Sequence, residues 1–242
     1  MVHTLPDYTT KYKLATIFAN IDEAELSVRL GSNCIFDRRG NVVFSDSFEQ
    51  SAIFWKQTIS GAGTSIAQDT TTARTGGKSV KFTLGAMIGA ETLISKYLQS
   101  LLEKRIGIEA HFSTESTAGT IEIRLDYTTG TRVYMSGIKY SVADEKIYYY
   151  ASSGDFLTLA TGIKIQHYKY TFIPIKYVID LVTGKYVRLL FNNDVYDLST
   201  YSLSGGAYVS AEYSNPWILC HNPSASQKIF YLDDVIITQN EP

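Results

Sequence analysis

GTIEIRLDYTTGTRVYMSGIKY, residues 119–140, reads as two strands and the turn between them. In 119–128 a period of two puts Glu122, Arg124 and Asp126 on one face, opposite the aliphatic positions between them. Thr128-Thr129-Gly130 supplies turn chemistry, and 131–140 resumes the alternation, with Tyr134, Ser136 and Ile138 sharing a face. A hairpin of this kind predicts an antiparallel sheet.

The same pattern recurs outward in both directions. Strand-like runs occupy 78–84, 105–113, 145–151, 175–182, 185–191, 207–213 and 228–238. Val182-Thr183-Gly184 and Asn192-Asn193-Asp194 mark further turns. Short strands at regular spacing predict an all-β antiparallel sandwich. Hydrophobic residues make up 45% of the 242, which is enough for a sizeable core. Two segments depart from the rhythm. Leu93, Ile94, Tyr97, Leu98, Leu101 and Leu102 follow helical spacing, so a helix is expected over Glu91–Arg105, plugging one end of the sandwich. A second short helix is expected at 22–30, with Asp22 as N-cap, Glu25 three residues on and Gly31 as stop.

Residues 1–41 read as an N-terminal arm and a lead-in hairpin around Asp37-Arg38-Arg39-Gly40, and 42–242 as the sandwich domain. An arm without its own core is ordered only when something ties it down, which points to docking on its own domain or on a second copy in a homo-oligomer. With 22 basic against 24 acidic residues and no basic stripe, direct nucleic-acid binding is not expected. No apolar run approaches the roughly 18 residues that span a bilayer, so membrane insertion is not expected either. The N-terminus lacks the apolar core of a secretory signal, which predicts synthesis in the cytoplasm. Cys34 and Cys220 read as buried free thiols before they read as a disulfide.

Motifs for catalysis are absent: there is no Gly-x-Ser-x-Gly elbow, no His-Glu-x-x-His and no phosphate-cradling glycine loop. The four histidines stand at no metal-ligand spacing. Glu122 and Asp126 are the best carboxylate pair for glycoside hydrolysis, but the intervening Arg124 makes a solvated charged face the simpler reading. Tyrosine is abundant at 18 residues. Tyr148 and Tyr150 flank Tyr149 on one strand, and Tyr168 and Tyr170 alternate onto one face, so these four are the candidate sugar-binding rings.

Three further pieces line up along the chain: FSDSFEQSAIFW at 44–55, TARTGGKSVKFTL at 72–84 and IFYLDDVIIT at 229–238. Their order resembles the jelly-roll sandwiches of carbohydrate-binding modules, while KYVIDLVTGKYVRLLFNNDVYDLS at 176–199 resembles concanavalin A-like, laminin G or lectin-like sandwiches. The resemblance covers roughly 42–238. It implies that first and last strands lie side by side, that Phe48 and Trp55 belong to the core, and that Glu49 with Asp233 or Asp234 holds a structural calcium ion. The alternative for these acids is to cap strand ends or to pair with Lys78 or Arg74.

The leading functional expectation is a non-catalytic structural or assembly protein, such as a virion or particle-surface component with a lectin-like sandwich. A carbohydrate-binding module or lectin is the alternative, and a sandwich-fold glycoside hydrolase or lyase the second.

Overall fold

Alternation in the sequence becomes alternation in burial. Along β7 (Thr120–Thr128), Ile121, Ile123 and Leu125 are buried while Glu122, Arg124 and Asp126 stay half-exposed. Along β15 (Tyr213–Asn222), Ile218 and Cys220 point inward while Trp217, Leu219 and His221 point out. The computed structural model describes residues 40–99, 104–208 and 211–242, and every regular element among them is a strand.

Two antiparallel sheets of eight strands each face one another. In the first, β13 (Asp194–Asp197), β12 (Lys185–Phe191), β11 (Ile173–Asp180), β6 (Arg105–Thr114), β16 (Lys228–Gln239), β4 (Ser79–Leu84) and β3 (Ser65–Asp69) follow in order. β1 (Asn41–Asp46) pairs with the second half of β16, so first and last strands lie together as the resemblance implies. The other sheet runs β10 (Phe156–Thr161), β9 (Lys146–Tyr150), β8 (Arg132–Ser141), β7, β15, β5 (Ala90–Ser95) and β2 (Lys56–Ser60), with β14 (Ser204–Ala207) added to β8. The molecule is an all-β sandwich of the jelly-roll, concanavalin A-like type.

Between the sheets sit Ile106, Ile108 and Phe112 from one side and Ile121, Ile123, Ile138 and Tyr140 from the other, all at or near zero exposure. Phe48 and Trp55 are buried as expected. Tyrosine hydroxyls also cross the core. Tyr186 on β12 donates to the Tyr150 carbonyl at 2.8 Å and accepts the Gly137 N–H at 2.9 Å. Tyr177 on β11 meets Ser136 Oγ at 3.2 Å. These bonds satisfy polar groups that would otherwise be costly to bury, and they fix β8 and β9 from beneath.

Some expectations are corrected. Residues 90–95 form β5 and not the start of a helix over Glu91–Arg105: Ala90, Thr92 and Ile94 are buried with a period of two, and Leu93 lies on the opposite face, paired with Leu219. β6 begins at Arg105. The run 207–213 is not one strand, because β14 ends at Ala207 and β15 starts at Tyr213. The helix at 22–30, Cys34 and all of the arm before Gly40 lie outside the described residues. Cys220 is a buried free thiol. No helix among the described residues is long and apolar enough to cross a membrane.

Candidate carbohydrate-binding face

Strand pairing gathers the polar residues of β7, β8 and β15 on the outer face of the second sheet. Glu122 lies between Lys139 on β8 and Leu219 on β15, and Arg124 between Gly137 and Trp217. Asp126 lies between Met135 and Asn215. Lys139 is followed outward by Tyr148 on β9. The face is therefore a grid whose rows run across the strands.

Its most ordered corner is built around Arg124. The guanidinium carbon lies 4.0 Å from the centre of the Tyr150 ring and 4.2 Å from that of Trp217, a cation held between two aromatic faces. Gly137 makes the space, since a Cβ there would meet Arg124 Cγ at 2.5 Å. The indole N–H of Trp217 donates to Asp126 Oδ2 at 3.0 Å, and Asp126 Oδ1 stands 3.9 Å from Arg124 Nη2. Arg124 Nε, Asp126 Oδ1 and Asn215 Oδ1 are buried and have no hydrogen-bond partner among the described residues. Buried polar atoms are ordinarily satisfied, so one donor and two acceptors stand out at this corner.

Beside the corner an open groove of about 540 Å³ runs across the strands. Glu91 on β5, Leu219 and His221 on β15, Thr120 and Glu122 on β7, and Lys139 on β8 form its floor, and the 143–144 turn closes one side. Lys139 Nζ rests 4.1 Å from the Phe156 ring centre and 5.0 Å from that of Tyr148. Ser141 Oγ donates to Asp144 Oδ2 at 2.7 Å. Burial raises the pKa of Glu122 above the usual carboxylate value against the opposing pull of Lys139 and Arg124. Burial likewise raises that of Asp126, opposed by the Trp217 hydrogen bond and by Arg124. It lowers that of Lys139, opposed by Glu122 and Asp144.

Glu122 and Asp126 do share the outer face, as expected from sequence. Four strand positions separate them by about 13 Å of backbone rise. The four candidate tyrosines divide. Tyr148 and Tyr150 stand on this face. Tyr168 and Tyr170 lie in the segment after β10, which the Lys169 carbonyl ties to Ser113 of β6 in the other sheet at 2.7 Å. Their rings contact each other at 5.3 Å and face solvent away from the groove residues. Trp217, Gly137, Lys139, His221 and Glu91 were not singled out from sequence.

The acids assigned to calcium are held by other partners. Glu49 Oε1 accepts the N–H groups of Gly77 and Lys78 at 3.0 and 2.8 Å. Asp233 Oδ2 accepts those of Arg74 and Thr75 at 2.8 and 3.2 Å, and Asp234 pairs with the Arg74 guanidinium at 2.8 Å. Burial, with the charge of Asp234 beside it, pushes the Asp233 carboxyl up to about 7. A calcium ion needs several oxygen ligands, whereas these carboxylates are held by N–H donors and a guanidinium. Among the described residues no three His, Cys, Asp or Glu side chains form a metal-holding group.

No family model matches the chain, and no curated protein matches its sequence. Solved structures do share the fold. An endo-β-1,4-glucuronan lyase from the fungus Trichoderma reesei superposes with a TM-score of 0.56 at 10% identity, over 82% of this chain and 95% of the other. An endo-β-galactosidase from Clostridium perfringens that releases GlcNAcα1-4Gal superposes with a TM-score of 0.55 at 8% identity, over 86% of this chain and 64% of the other. At these identities the likeness establishes a common sandwich and nothing about chemistry.

Proposed function

We propose that this protein binds a glycan, without cleaving it, on the outer face formed by β5, β15, β7, β8 and β9. The observation that carries the reading is the groove of about 540 Å³ beside the Tyr150–Arg124–Trp217 stack. Sugars offer many hydroxyls and one weakly apolar ring face, so their sites combine fixed polar groups with aromatic surface. Here Glu91, Glu122, Lys139, Asp144 and His221 line the groove with polar groups, and the rings of Tyr148, Tyr150, Phe156 and Trp217 lie beside it against Lys139 and Arg124. The names of the two neighbours, both carbohydrate-active enzymes, agree with a saccharide ligand. Non-cleavage follows the sequence expectation, in which Arg124 between Glu122 and Asp126 makes a charged face the simpler reading.

The assembly role expected from sequence depends on residues 1–41, of which only Gly40 and Asn41 are described. A glycan-binding face suits a particle-surface component as well, and it makes no use of the arm.

A glycan array followed by affinity electrophoresis in soluble polysaccharides tests the reading. Wild-type protein is expected to bind at least one glycan, and Trp217→Ala to bind it about tenfold more weakly, the equivalent of about 1.4 kcal/mol. No hit across a broad panel, or equal binding by the variant, would overturn it.

A further inference from the structure

We infer that the groove takes an uncharged glycan and turns away glycans that carry carboxylates. This rests on the glycan-binding reading above and specifies the class of ligand. Three of the groove's lining residues are acids, and they span its width: Glu91 on β5, Glu122 on β7 and Asp144 in the turn after β8. Two basic side chains nearby, Lys139 and Arg124, are already engaged. Lys139 stands opposite Glu122 in register and lies on the rings of Phe156 and Tyr148. Arg124 is held between Tyr150 and Trp217 and stands 3.9 Å from Asp126. Each cation therefore has both a ring and an acid beside it.

A uronic acid entering this groove would bring a carboxylate against three others, with Lys139 and Arg124 already facing partners. Like charges brought together without compensation are a common way for a site to reject a wrong ligand. A neutral sugar meets the same acids differently, because its hydroxyls donate charge-assisted hydrogen bonds to them.

Calorimetric titration at low salt decides this, with neutral xylo-, cello-, laminari-, manno- and galacto-oligosaccharides set against oligogalacturonate and oligoglucuronate. At least one neutral oligosaccharide is expected to bind, and both uronates to bind roughly tenfold or more weakly than it. Glu91→Gln combined with Glu122→Gln is expected to narrow that gap. The groove-filling variant Leu219→Trp, checked for folding by circular dichroism, separates two kinds of failure. A uronate that binds as tightly as the best neutral sugar, and is lost in Leu219→Trp, overturns the ligand class and leaves the site standing. Glycan binding that survives Leu219→Trp unchanged, or no binding by either set, overturns the site and the class with it.

Discussion

Trp217 donates its indole N–H to Asp126 across the β15–β7 pair at 3.0 Å, and the ring so held is one of the two faces that enclose Arg124. The bond belongs to the outer face, and the core beneath is filled by Leu125 and Ile218. Asp126→Ala removes the acceptor of the indole and the acid beside Arg124 while leaving the core intact. Glycan affinity is expected to fall about tenfold, with unfolding free energy changing by about 1 kcal/mol or less. Calorimetry and thermal melts on the same sample check both halves.

Gly137 is buried in the middle of β8 in an ordinary extended conformation, so its backbone does not require glycine. What requires it is Arg124 Cγ, 2.5 Å from where a Cβ would stand. Gly137→Ala is expected to push Arg124 off its stack and weaken glycan binding. A melt should show little loss, because a strand residue gains from replacing glycine about as much as the displaced side chain costs. Unchanged affinity in this variant would mean that the position of Arg124 does not matter to the ligand.

Much of this face was legible in the sequence, but not its centre. The 119–140 hairpin appears where it was expected, as β7 and β8, and it correctly places Glu122, Arg124 and Asp126 on one side. β15 escaped notice because Pro216 sits inside it, and proline argues against a central strand. The structure shows why it is tolerated. The Pro216 carbonyl accepts the Lys96 N–H just past the end of β5, so the missing proline N–H falls where regular pairing lapses before the Leu98–Ser214 bridge. Trp217 and His221 were hidden with the strand. β5 was misread because its buried positions are Ala90, Thr92 and Ile94, of which only one is a large aliphatic. Adjacent Leu93 and Ile94 then mimicked a helical stripe while pointing to opposite faces. A lone glycine inside the clear alternation of β8 was the one available signal of a close approach.

Glu241 anchors the end of the chain in the other sheet. Its carboxylate bonds Lys176 Nζ and Arg188 Nη2, each at 2.7 Å, and neither the acid nor Lys176 is more than 2% exposed in its side chain. Removing one member of a buried ion-pair network weakens the compensation of the charges that remain. Glu241→Ala is expected to cost about 3–5 kcal/mol of stability in urea unfolding and to leave glycan affinity unchanged in the folded fraction.

Burial pushes the hydroxyls of Tyr140 and Tyr231 up to about 12, and those of Tyr177 and Tyr186 also upward. A folded-state value above the unfolded value near 10 means that the contribution to stability is fully present below about pH 10. It is lost as pH rises from there toward about 12 and beyond. Tyrosinate absorbance is expected to show a late phase, in which the buried rings ionise only as far-UV circular dichroism collapses. A single phase centred near 10, with the fold intact, would contradict this.

Nuclear magnetic resonance of isotope-labelled protein, titrated with the neutral oligosaccharide that binds best, bears most directly on the central claim. The Trp217 indole N–H, separated from that of Trp55 by the Trp217→Phe spectrum, is expected to shift on binding together with the amides of 120–124 and 217–221. The amides of β6, β11 and β12, on the far sheet, should stay where they are. Shifts concentrated on the far sheet, or on the segment bearing Tyr168 and Tyr170, with the Trp217 indole unmoved, would contradict the account.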